Sequence, residues 1–184
     1  MDSLQDLLHG QTPGVQFLWD YQRERKTWCP KEETKISDYV AVHLRRDVQD
    51  RGIVVNREVG IRPLLDIEPG QITDILVEGV IPSPRGENYD VVQVIVETKG
   101  CWNRDLYTAM RSQLVERYLK DNQCRYGLYL VGYFLCDSWD GEDYRKGDCP
   151  RKSIDALVCQ FDCQAAESSR DGLTLAARVL DLQF

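Results

Sequence analysis

Glu97, Thr98 and Lys99 close an apolar run, Val91 to Val96, and an aspartate, Asp74, stands inside a second such run, Gln71 to Val80. Side chains along a strand alternate between faces, so Glu97 and Lys99 project to one side and Thr98 to the other. A carboxylate and an ammonium at the end of a buried strand are costly unless they meet each other, a metal ion or a phosphate. Asp74 raises the same question one strand earlier. Two carboxylates offer the hard oxygen donors that Mg²⁺ takes, with water and a substrate phosphate completing the shell. Such an ion acidifies a bound water and neutralises charge developing on a phosphoryl group, while a nearby lysine orients the nucleophile or steadies negative oxygens. The pattern therefore points to metal-assisted phosphodiester hydrolysis, with Asp74 and Glu97 as ligands and Lys99 at the reacting group. A lone Glu-x-Lys triplet also occurs as a plain ion pair at a sheet edge, so the surrounding elements have to carry the argument.

The run Val91-Val92-Gln93-Val94-Ile95-Val96 is rich in β-branched residues, which favours a buried strand over a helix, and Gly100 ends it. Downstream, Asn103 is placed to cap a helix predicted over 104–120, with Asp105 in its first turn where the macrodipole favours an acid. Leu106, Ala109, Met110, Gln113, Leu114, Arg117 and Tyr118 follow the spacing of one helical face, so an amide, a guanidinium and a phenol lie in or beside the apolar stripe. Gln113 is either satisfied by backbone or delivered to the acid pair. A helix over 32–49, strands over 53–61, 71–80, 91–99 and 126–134, a helix over 151–168 and a last strand over 173–182 complete the reading. The segment 81–90, with Pro82, Pro84, Gly86 and Asn88, reads as a turn-rich loop, and 137–150 as a polar, acid-rich one. Residues 1–31 read as an N-terminal arm packing on the core, and 32–184 as the main domain.

Asp74, Glu97-Thr98-Lys99 and Gln113-Leu114-Val115-Glu116-Arg117-Tyr118 together resemble the PD-(D/E)xK nuclease superfamily, nearest to its RecB-type and Mrr-like branches. The resemblance covers roughly 32–135 and rests on the order and spacing of motifs that are individually short. It implies an α/β fold, the restriction endonuclease-like three-layer sandwich with a central mixed sheet and an α-β-β-β-α-β core. It further implies a Mg²⁺-dependent deoxyribonuclease, with Mn²⁺ as a substitute, acting on DNA as the nuclease module of a larger bacterial restriction or antiviral-defence protein. Asp74, Glu97 and the Thr98 carbonyl would hold the metal, Lys99 would position water, and Gln113 would support the site. A further acid is often recruited from the first helix or strand, for which Glu33, Asp38 and Glu58 are candidates; Glu58 interrupts an otherwise apolar strand. Two departures stand out: Thr73 precedes Asp74 where the motif's name has proline, and Tyr118 follows Gln113 by five residues where RecB-type sequences use four. An RNA-cleaving nuclease shares every one of these residues, and a catalytically inactive nucleic-acid or protein-binding module could keep the same fold.

Composition bounds the rest. The chain has 184 residues, 42% of them hydrophobic and 29% charged, enough for one globular domain with its own core. No run approaches the roughly eighteen apolar residues of a membrane span, and the acidic start Met1-Asp2-Ser3-Leu4-Gln5-Asp6 lacks the pattern of a signal peptide, so a cytoplasmic setting is expected. The net charge of −7 opposes binding to a polyanion, although arginines gather around the first helix and strand and again around 104–125. Weak binding by this chain alone, and other domains or subunits that supply recognition, follow as expectations. Seven cysteines, an odd number with irregular spacing, do not suggest a disulfide framework, and Cys149, Cys159 and Cys163 lack the spacing of an iron–sulfur set. His43 falls beside Val40 and Leu44 and reads as a packed histidine. No glycine-rich phosphate loop, G-x-S-x-G elbow or H-E-x-x-H pattern offers a competing chemistry.

Overall fold

The structure, a computed structural model, describes residues 2–49, 51–60, 72–82 and 89–184. A five-stranded mixed sheet is built from β3 (Ile53–Gly60), β4 (Ile72–Pro82), β5 (Tyr89–Gly100), β6 (Tyr126–Tyr133) and β7 (Thr174–Asp181) in sequential order. The first three strands pair antiparallel and the last two join in parallel. Parallel neighbours need a crossover, and helical segments supply both: one lies between β5 and β6, the other between β6 and β7. A smaller hairpin, β1 (Trp19–Gln22) and β2 (Thr27–Pro30), follows α1 (Asp2–His9) and a 3₁₀ turn (Gly14–Leu18).

Helices cover both faces. A Cβ on Gly132 of β6 would meet Ile36 of α2 (Glu33–Asp47), whereas one on Gly127 would meet Leu114 and Leu119 of the helix after β5. The two glycines have opposite strand parity, so α2 lies on one face and the later helix on the other. On that second face α4 (Ile154–Ser168) joins it, through Phe161 against Tyr129 with ring centroids 5.6 Å apart. Both faces of β5 and β6 are therefore buried, which is why these strands read as continuous apolar runs rather than alternating ones.

The N-terminal segment contributes to the same core. Leu4, Leu8, Val15, Leu18 and Trp19 are buried, and the Trp19 indole donates to the Leu182 carbonyl at 2.8 Å while packing edge-on against Phe134 and Trp139. His43 is buried as expected, with Nε2 3.2 Å from the Ser3 hydroxyl and from Asp47, so it fastens α1 to α2.

The segment after β5 departs from the α-helix expected over 104–120. Turns occupy 101–102 and 104–108, and Met110–Leu119 forms a π-helix in which the Lys120 N–H reaches back five residues to the Val115 carbonyl. Met110, Leu114, Tyr118 and Leu119 are its buried residues, and Arg117 is exposed. An i→i+5 ladder brings residues about five apart into line, so both Tyr118 and Leu119 can turn inward where an α-helix would present Arg117 with Tyr118. Residues 81–90 also differ from expectation. β4 runs on to Pro82 and β5 begins at Tyr89, which leaves Pro84, Gly86 and Asn88 outside the described residues along with Gln71. The acid-rich segment after β6 includes a short helix, α3 (Tyr144–Asp148), capped by Asp143.

Candidate active site

Sheet register brings the predicted acids together. Ile75 of β4 lies opposite Val96 of β5, which carries Asp74 to the level of Glu97. The ladder opens there, and an Asp74 carboxylate oxygen accepts the Thr98 N–H at 2.8 Å. In a strand, a residue's N–H and C=O face the same edge, so the Thr98 carbonyl also looks toward β4. On β3, Arg57 opposite Ile75 and Val59 opposite Thr73 put the Glu58 backbone at the level of Asp74; the Glu58 side chain lies outside the described residues.

Glu97 and Lys99 share the face covered by the π-helix and α4, because Glu97 pairs in register with Tyr129 of β6. Glu97 is 2% exposed and Lys99 is 9% exposed, and the Lys99 ammonium donates to Glu97 Oε1 at 2.6 Å. Burial, and next the Asp74 carboxylate, push the Glu97 carboxyl up to about 7, against the pull of Lys99. Burial by itself lowers Lys99, but Glu97, and more weakly Glu33 and Asp74, outweigh it and hold the ammonium above its ordinary value. Two carboxyls, Asp74 and Glu97, thus share one lysine, and Glu97 ionises only reluctantly unless a further cation joins them.

Two other groups report on this field. Tyr118, on the π-helix, has its phenol raised by burial and then by Glu97, with Arg117 opposing and Asp74 adding a weaker push. Tyr129 is pushed up by burial and then by Glu97, and its hydroxyl donates to the Leu106 carbonyl at 2.7 Å. Gln113 is half-buried and makes no side-chain hydrogen bond among the described residues. It lies five residues before Tyr118, a little over one π-turn away.

The first-helix candidates separate. Glu33, in the first turn of α2, accepts the Gly100 N–H at 2.8 Å and the Asn103 amide through both oxygens at 2.8 and 3.0 Å. It therefore clamps the strand end just beyond Lys99 from the opposite face. Asn103 does not cap an α-helix but bridges, its own oxygen accepting the Asp105 N–H at 2.8 Å. Asp38 is drawn to Arg57 at 3.0 Å and Lys35 at 3.2 Å, which keep its carboxyl below the usual range even though burial, the first influence, acts the other way. The same Arg57 donates to the Asp74 carbonyl and the Thr34 carbonyl, tying α2 to the strand that carries Asp74. Sequence reasoning missed the roles of Arg57 and Asn103. An arginine in the apolar strand 53–60 was the available signal for the first, and nothing local marked the second.

Among the described residues, no group of three histidine, cysteine or acidic side chains is arranged to hold a metal ion. Two of the expected ligands, Asp74 and Glu97, are nevertheless adjacent, hard-oxygen donors in surplus over the nearest cation, and this fits a divalent ion of the Mg²⁺ type. Cys149 Sγ lies 2.9 Å from Cys101 Sγ, while Cys159 and Cys163 are exposed on α4. Comparison with family models, curated proteins and solved structures finds no match to this chain. No helix among the described residues is long and apolar enough to cross a membrane.

Proposed function

We propose that this chain is a metal-dependent phosphodiesterase of the PD-(D/E)xK type, a Mg²⁺-dependent deoxyribonuclease on a restriction endonuclease-like fold. The observation that carries the reading is the buried Glu97, held beside Asp74 and bonded to Lys99 at 2.6 Å, on strands whose register brings all three to one end of the sheet. The sequence of elements from α2 through β6 supports it, as does a helix carrying Gln113 and Tyr118 over the same face. The wider setting, a nuclease module of a larger bacterial restriction or antiviral-defence protein, rests on the resemblance alone.

Asp74, Glu97 and the Thr98 carbonyl would hold Mg²⁺, with Glu58 at the same level of the sheet as a further donor. When bound, the ion supplies Lewis acidity toward water and a phosphate oxygen. The chain's own groups do the rest. Lys99 donates to the attacking water or to a non-bridging phosphate oxygen, where its fixed ammonium, shielded from bulk water, opposes the charge that develops in the transition state. Glu33 holds the Gly100 N–H and thereby the direction of the strand from which Lys99 projects. Arg57 fixes the backbone of Asp74. Tyr118, kept protonated, and Gln113 offer an O–H and an amide toward the acids from the helix above.

A second reading, a catalytically silent binding module on the same fold, draws on the net charge of −7. The two separate in one experiment. The proposal expects Mg²⁺- or Mn²⁺-dependent cleavage of DNA that is lost in Asp74→Ala and Lys99→Ala proteins, whereas a silent module cuts neither DNA nor RNA and takes up no metal by calorimetry.

A further inference from the structure

At the same end of the sheet as the carboxylate centre lies a second feature with a charge opposite to that of the molecule. β5 and β6 run parallel, so the segments that follow them, 101–109 and 134–153, leave the sheet at the same end as Glu97 and Lys99. Between these segments is an open hollow of about 640 Å³ lined by Asn103, Arg104, Tyr107, Arg151 and Lys152, with Asp148 as its one carboxylate. Asn103 is the residue that Glu33 holds against Gly100, which connects this wall to the strand end carrying Lys99. The other wall reaches the centre through stacked rings. Lys152 Nζ stands 5.4 Å from the Tyr107 ring, Tyr107 stacks on Phe161 at 6.0 Å, and Phe161 packs on Tyr129, the register partner of Glu97.

The charges in this hollow are available. Arg104 and Arg151 are exposed and make no ion pair among the described residues, and Lys152 spends one hydrogen bond on the neutral Gln160 amide oxygen at 2.9 Å. Two other large hollows differ. The one between the β1–β2 hairpin and the start of α2, about 1170 Å³, has six carboxylates against four cations in its lining, and Arg25, Lys31 and Arg145 are already in ion pairs. The one between the π-helix and α4, about 820 Å³, sets Arg111 and Arg170 against Glu116, Glu167 and Asp171. A polyanion is repelled from both and attracted to the hollow of Arg104, Arg151 and Lys152.

We propose that Arg104, Arg151 and Lys152 form a phosphate-binding site that holds the phosphodiester backbone of a nucleic-acid strand as it leaves the Asp74–Glu97–Lys99 centre. This inference rests on the nuclease reading for its orientation and on the cation-lined hollow for its ligand. Guanidinium groups take phosphate oxygens in pairs, and a lysine adds a point charge, so three such groups from two segments grip the backbone without reading its bases. The site also accounts for how a chain of net charge −7 engages a polyanion: attraction is local, and most of the acid lies on other surfaces.

The test is fluorescence anisotropy of labelled single-stranded DNA, duplex DNA and RNA with the full chain, in EDTA so that no cutting occurs, across a range of salt. Two proteins with equal change in net charge are compared, Arg104→Ala/Arg151→Ala/Lys152→Ala and Arg46→Ala/Arg125→Ala/Arg170→Ala. Loss of three phosphate contacts lowers the slope of log K against log salt by roughly 2 on a single strand. That loss is expected in the first protein only, and whichever nucleic acid shows it is the ligand. Equal losses in both proteins, no loss in either, or no binding by the unsubstituted chain overturns the site. Metal-dependent hydrolysis of bis(p-nitrophenyl) phosphate, a diester too small to span both places, reports on the centre separately. If the diester is untouched while the slope difference persists, the nuclease reading fails and the phosphate site stands.

Discussion

Glu97 and Lys99 are buried together, and each needs the other. Removing the ammonium in Lys99→Ala leaves two acids without a cation, so cleavage should fall by about 10²–10³ or more while circular dichroism stays that of the folded chain. A rate within a few-fold of the unsubstituted protein contradicts the role given to Lys99. The acid also sets a pH dependence. An unfolded glutamate loses its proton near about 4.3, whereas Glu97 in the folded, metal-free chain does so only at about 7. Between those values the unfolded chain has released the proton and the folded chain retains it, so stability falls as pH rises through that window, by about 4 kcal/mol in all. Urea denaturation in EDTA at pH 5 and pH 8 should show the fall, and Mg²⁺ should restore stability at pH 8; a flat profile contradicts it. Glu33→Ala frees the Gly100 N–H and the Asn103 amide, and a drop of about tenfold or more in kcat, with KM little changed, is the signature of a misdirected Lys99 rather than of lost substrate contact. At this scale the shared face of Glu97 and Lys99 at a strand end was readable in the sequence, because strand parity and apolar context need only neighbouring residues. The clamp from Glu33 to Gly100 joins residues far apart in the chain, and no local pattern announces it; helix dipole preference already explained an acid there.

The strands and α2 were legible to within a few residues, since β-branched runs and helical spacing are local properties. The helix over the Glu97 face of the sheet was not. Its residues satisfy an α-helical stripe on paper, yet Leu119 turns inward in place of Arg117, and the i→i+5 ladder over Met110–Leu119 makes room for it. The close approach of Leu114 and Leu119 to Gly127 shows why the packing matters: a Cβ there would stand 3.2 and 3.1 Å from these side chains and 2.6 Å from Leu175. Gly127→Val should therefore destabilise the fold by about 1–3 kcal/mol in chemical denaturation, and an unchanged midpoint contradicts the packing described. The π-turn also bears on the five-residue spacing between Gln113 and Tyr118. In an α-helix residues five apart diverge widely, whereas the wider π-turn brings Gln113 and Tyr118 nearer to one side of the helix. Gln113→Ala is expected to reduce turnover by about tenfold without shifting the denaturation midpoint, and wild-type turnover in that variant contradicts a supporting role for Gln113.

Across the whole molecule, the helices, the sheet and the N-terminal segment share one core, with Trp19 joined to Leu182 near the chain's other end. Composition anticipated a single core and a mixed α/β arrangement, because 42% hydrophobic content and alternating helical and strand patterns require both faces of the sheet to be covered. Charge was the harder property to read, since a net −7 says nothing of where the cations sit; the folded chain sorts them into an acid-lined cleft and a cation-lined hollow at the same end of the sheet. The central claim is that this end of the sheet cuts phosphodiesters. Supercoiled, linear and single-stranded DNA and RNA should be incubated with the purified chain in Mg²⁺, in Mn²⁺ and in EDTA, alongside Asp74→Ala and Lys99→Ala. Metal-dependent cutting of DNA that disappears in both variants is the result predicted. Cutting that survives in EDTA or in either variant, or no cutting of any substrate together with no uptake of metal by calorimetry, contradicts the account.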